Sequence, residues 1–215
     1  MIFNYLKRSI IKCEIDFFRT YLSEMEQVLK RKGTILEQEW KTTAGKGENL
    51  AEYQDYLIEC NHELQRGFEI FYFSFIITIF AFLEHKLNEI CRIPSIKNKF
   101  KITLKDINGR GIYRAKTFME KICNLDLPGK NLWQKLKKIN EIRNCLIHSN
   151  AEINKNNEEL ISYTKKLGKI KIEENCTTKI KTIKITKEYC SFAIGIIEEY
   201  LLTLIDKNTK GERRG

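Results

Sequence analysis

Apolar residues recur at steps of three and four along most of the chain, and the runs between breakers are long. Over residues 3–31, Tyr5, Ile10, Phe17, Phe18, Leu22, Met25 and Leu29 keep helical spacing, and Gly33 supplies a stop. Residues 42–47, TTAGKG, read as a loop. Asn49 is then placed to cap a second, very long helix toward Cys91, bent near Gly67 and ended by Pro94. The centre of that helix, IFYFSFIITIFAFL at residues 70–83, runs directly into Glu84, His85 and Lys86. It falls about five residues short of a membrane span, so the pattern predicts a helix buried on nearly all sides.

Downstream, a third helix is expected over residues 111–125, followed by a Leu127-Pro128-Gly129 turn. A fourth starts near Asn131 and carries Leu132, Leu136, Ile139, Leu146 and Ile147 on one side. A short helix over 157–167 ends at Gly168, the residue type favoured just past a helix end. Residues 169–172 and 179–185 alternate with a period of two and predict a β-hairpin with a lysine-rich solvent face. A closing helix spans 185–205. The expected fold is therefore mainly all-α, a helical bundle with a small β-hairpin near 169–185, forming one domain over 1–206 with a flexible basic tail at 207–215.

Composition adds constraints. A hydrophobic share of 42% against 31% charged residues supplies a core, and two prolines in 215 residues leave long helices uninterrupted. The 38 basic and 28 acidic side chains give a formal charge of +10, which concentrates polyanions such as RNA near the surface. A genome-wide preference for Lys, Ile and Asn produces the same surplus, so charge alone assigns nothing. Seven widely spaced cysteines with no CxxC pair read as reduced core residues, and neither a metal nor a cofactor is expected. The start, MIFNYLKR, lacks the layout of a secretory signal, which points to the cytoplasm.

Two charges sit where the pattern calls for apolar residues. At about 100° per residue, Arg143 falls within roughly 20° of the mean direction of Leu136, Ile139 and Leu146. Burying a guanidinium unpaired is costly, so it must meet a carboxylate or look into a polar cleft. Glu84, in register with Phe73, Ile77, Phe80, Leu87 and Cys91, is the matching misplaced acid on the second helix. Spacing fits a structural Arg143–Glu84 ion pair as well as a functional cleft. His148, at the end of the fourth helix, suits either the terminal carbonyls or chemistry. His85 falls on a polar or boundary face, and His62 on the solvent side.

The segment Arg143-Asn144-Cys145-Leu146-Ile147-His148, behind an amphipathic helix and before Ser149-Asn150, resembles the motif of the HEPN superfamily. In that motif four to six residues separate an arginine from a histidine, with a polar residue, often Asn, directly after the arginine. The layout from about residue 50 to 205 is similar too. The resemblance implies a metal-independent endoribonuclease, a toxin or antiviral abortive-infection effector, with two protomers forming a composite site in a homodimer. In such a site His148 moves the proton, since an imidazole ordinarily titrates near pH 6.5, and Arg143 holds the scissile phosphate through its planar fork. Asn144 orients the backbone or the histidine, and Glu84 fixes Arg143. Asn150 stands where toxins controlled by a nucleotidyltransferase antitoxin carry a tyrosine, so control by tyrosine modification is not implied. RNA, a second copy, and an antitoxin or other defence protein are the expected partners, with no membrane. The alternatives are a non-catalytic HEPN module that binds nucleotides or RNA, or acts as an adaptor, and a purely structural helical dimer.

Overall fold

The computed structural model describes residues 2–43, 50–97, 101–153 and 157–211. Among these, six helices surround one core and a three-stranded antiparallel sheet closes one end. Helix α1 (Ile2–Thr43) and helix α2 (Leu50–Lys97) are the longest, about 63 and 72 Å at 1.5 Å per residue. Both outrun the sequence reading. The first helix continues through Gly33 because α2 lies so close there that a Cβ would stand 3.1 Å from Leu64 Cδ2, and packing offsets the entropic cost of a helical glycine. The second continues three residues past Pro94, since a proline removes one helical hydrogen bond without forcing the chain out of the helix. The expected Asn49 cap and residues 44–47 of the loop lie outside the described residues.

Helix α3 (Gly111–Lys121) stops short of Leu125 because Asn124 turns left-handed, at φ 50°, and the Leu125 amide closes on the Met119 carbonyl at 2.9 Å. Helix α4 (Lys130–His148) leads into strand β1 (Glu152–Ile153), and helix α5 (Glu158–Leu167) ends at Gly168 with φ 64°, as its sequence predicts. Strands β2 (Ile170–Glu174) and β3 (Lys181–Ile185) form the expected hairpin, with Ile170 opposite Ile185 and Ile172 opposite Ile183. The third strand, β1, pairs with β3 and is too short to leave an alternating pattern in the sequence. Helix α6 (Lys187–Gly211) carries on beyond residue 207, where a tail was expected, because Asn208 ties the helix to residue 126: its Nδ2 donates to the Asp126 carbonyl at 3.0 Å, and its Oδ1 accepts from the Asp126 amide at 2.9 Å.

The core runs through α2, α4 and α6: Ile79, Phe80, Leu83, Leu136, Ile139, Ile142, Ile197 and Leu201 are sealed from water. Two expectations about burial do not hold. Helix α2 is not covered all round, because Ile70, Ser74, Thr78 and Ala81 leave one face of it open. The cysteines are not all core residues either, since Cys13 and Cys176 are exposed while Cys91 and Cys190 are buried. Among the described residues, α2 is the one helix long and apolar enough to cross a membrane by length and composition. It packs against α1, α3, α4 and α6.

Candidate functional site

Helix α4 buries Leu132, Trp133, Leu136, Ile139, Ile142 and Leu146, and Arg143 rides the edge of that stripe, half-buried. Its guanidinium carbon lies 5.8 Å from the centroid of the Phe80 ring on α2. One terminal nitrogen donates to Asn144 Oδ1 at 3.0 Å, while Nε is sealed from solvent with no hydrogen-bond partner. A planar cation thus rests on an aromatic face, in a setting where cation–π attraction of about 0.5–2 kcal/mol offsets part of its desolvation. Asn144 touches the guanidinium rather than the backbone or His148, unlike the role expected for it.

The anticipated partnership with Glu84 is not formed. Among the described residues no ion pair or hydrogen bond joins Glu84 to Arg143. The half-buried Glu84 carboxylate instead lies against the first residue of α3, Gly111, whose backbone is left-handed at φ 51°. A Cβ at Gly111 would overlap Glu84 Oε1. There the acid faces the positive end of a helix, a favourable place for a carboxylate and a physical reason for it to turn away from α4. Gly111→Ala should therefore lower unfolding free energy by about 1–3 kcal/mol, through a non-glycine left-handed residue and a displaced Glu84. Gly129→Ala, where nothing stands within 4 Å of the added carbon, is the control. Equal urea midpoints for the two variants would refute that account.

His148 is the last residue of α4 and is exposed. Among the described residues its imidazole makes no hydrogen bond or ion pair. Behind it the chain reverses through Asn150 and Ala151, both left-handed at φ 47° and 65°, and the Ala151 amide returns to the Cys145 carbonyl at 3.2 Å. The Ile183 amide then donates to the Ala151 carbonyl at 2.8 Å, which docks β3 beside the end of the motif. Five residues along a helix amount to about 140° of rotation and 7.5 Å of rise, so Arg143 and His148 look toward well-separated sides of α4 and do not share a face within one chain. Ile147, expected on the apolar side, is 39% exposed and belongs to this outward surface.

Cys145, inside the motif, is not poised as a nucleophile: burial pushes its thiol up, and Sγ is 3.1 Å from the Glu152 carbonyl. Sequence reasoning missed Phe80 as the platform for Arg143. It did place Phe80 in register with Glu84, but periodicity on one helix does not tell which residue of another helix faces it. His85, on the exposed side of α2, lies 3.6 Å from Glu89, and His62 faces solvent as expected. Lysines 165, 166, 169, 171, 179, 181, 184 and 187 crowd α5, the hairpin and the start of α6, and several are matched by local acids such as Glu69, 2.6 Å from Lys184. No known protein family, curated protein or solved structure matches this chain.

Proposed function

We propose that the chain is a metal-independent endoribonuclease of the HEPN type, a cytoplasmic toxin or antiviral abortive-infection effector, acting as a homodimer whose two copies of Arg143 and His148 build one composite site. The observation that supports this most directly is the half-buried Arg143 guanidinium, held by Phe80 and Asn144 and, among the described residues, without a carboxylate partner. A cation kept partly out of water with no anion of its own is matched to an anionic ligand, and its fork fits a phosphodiester. RNA brings its own nucleophile. The 2′-hydroxyl attacks phosphorus, its proton passes to a base, the bond to the 5′-oxygen breaks, and that oxygen is protonated. His148 serves one of these proton transfers and Arg143 the charge gathered on the phosphorane. The lysines around the hairpin steer the polyanion.

A second reading, a HEPN module that binds RNA without cutting it, is favoured by one feature: among the described residues of the single chain no hydrogen bond or ion pair orients the His148 imidazole. In the ribonuclease reading the second copy supplies that orientation. Incubating the purified protein with RNA in EDTA separates the two. Products ending in 2′,3′-cyclic phosphate, with partners such as an antitoxin or another defence protein omitted, are the expected result. Intact RNA with retained binding would overturn the ribonuclease reading in favour of the second.

A further inference from the structure

Helix α1 has two apolar stripes, and the bundle uses one. Ile11, Ile15, Leu22 and Leu29 turn inward, whereas Phe17, Ile35, Ile10, Val28 and Tyr21 stand 67%, 54%, 52%, 44% and 40% exposed. At about 100° per residue those five fall within roughly 40° of one line, about 115° round the helix from the buried stripe. The steps 10, 17, 21, 28, 35 are sevens and fours, the spacing of a seam between two helices. Tyr21 extends the face toward α2 by stacking on Phe75 at 6.3 Å and meeting Phe71 edge-on at 5.8 Å, and the exposed Ile70 lies one residue before Phe71.

We infer that this stripe is a dimer seam, on which α1 of a second copy of the chain packs antiparallel about a two-fold between residues 22 and 23. The argument is self-complementarity, which an isologous contact demands. With that axis Ile10 meets Ile35, Phe17 meets Val28, and the acid Glu14 meets the base Arg31. A parallel pair would set Glu14 on Glu14 and Arg31 on Arg31. Glu14 is already steadied by Lys86, 2.8 Å away. The seam is about 38 Å long at 1.5 Å per residue, and with the neighbouring edge of α2 it offers on the order of the 800 Å² per partner that a specific interface buries. Flanks carrying both acids and bases match a protein surface, whereas a helix lying on a membrane shows a one-signed basic flank.

The seam lies on α1, which packs against α2 and α6, and is a contact between copies distinct from the one that would join two α4 helices, so it goes beyond the ribonuclease reading. Sedimentation of the full chain should give twice the chain mass at micromolar concentration. Phe17→Glu and, separately, Val28→Glu should each raise the dimer dissociation constant at least tenfold, with unchanged helix content by circular dichroism. In a Cys13→Ser background, Ile10→Cys mixed with Ile35→Cys should form a disulfide between copies, read as the joined peptide by mass spectrometry, while neither variant cross-links to itself through the new cysteine. A dimer indifferent to both glutamates, or one in which Ile10→Cys couples to itself, overturns the seam and leaves the ribonuclease reading standing. A monomeric parent chain overturns both, and a monomer that instead pellets with anionic lipid vesicles assigns the stripe to a membrane surface.

Discussion

His148→Ala should lower RNA cleavage by about 10²–10⁴-fold, the range that proton transfer by a positioned side chain contributes, while unfolding free energy stays within about 0.5 kcal/mol of the parent. Both halves follow from where the residue sits. Its imidazole is exposed at the end of α4 and takes no hydrogen bond or ion pair among the described residues, so removing it empties no cavity and strands no partner. What remains is the effect of an ordinary exposed substitution, within about 0.5 kcal/mol. Single-turnover cleavage beside a urea titration gives both numbers. Arg143→Ala is the less clean companion, because it removes a group packed on Phe80 and leaves Asn144 without its donor. Arg143→Lys keeps the charge but loses the fork, so activity should fall further than stability. Cleavage that survives His148→Ala unchanged removes this histidine from the chemistry, and a large loss of stability would mean that it holds the helix end instead.

The elements were legible where periodicity and punctuation agree. The helix ending at Gly168 and the Ile170-to-Ile185 pairing of the hairpin sit where spacing and a single glycine place them. Ends were misjudged where a distant contact overrules the local signal. Gly33 fits beneath Leu64, and Asn208 is anchored to Asp126, and neither neighbour is visible in the residues around the breaker. The same limit applied to the candidate site. That Arg143 is out of place on an apolar stripe was readable from its angle on the helix, and its half-buried setting bears this out. Its companions were not readable, because Glu84 had two places to go. The amino end of α3 receives it, and that end lies 27 residues further along the chain. On α1 the composition was read correctly and the geometry was not: Ile10 and Phe17 count toward one helical stripe with Leu22 and Leu29 until the second stripe is separated from the first.

Loss of the Glu26 carboxylate should lower stability by about 2 kcal/mol at neutral pH for Glu26→Ala, with a pH dependence that identifies its cause. Glu26 is a buried acid on α1 to which three side chains converge. Tyr72 of α2 donates its hydroxyl at 3.1 Å, Lys187 at the start of α6 pairs with the other oxygen, and Lys30 stands 3.5 Å off. Burial pushes this carboxyl up, but the hydrogen bonds from Lys187 and Tyr72 outweigh it, so the net shift is downward. A group whose folded pKa lies below its unfolded one lends stability above the ordinary carboxyl range, and that stability disappears as pH falls through the folded value. The parent should therefore lose stability on acidification below about pH 4 partly through this residue. Burial pushes the Tyr72 phenol well up, so it stays a neutral donor across that window. Glu26→Gln keeps an acceptor for Tyr72 and has no proton to take up. Its stability should begin lower at pH 7 and fall less between pH 7 and pH 3, so that the two urea-derived curves converge in acid. Parallel curves would mean that Lys187, 41% exposed, gives the carboxylate no more than a surface ion pair does.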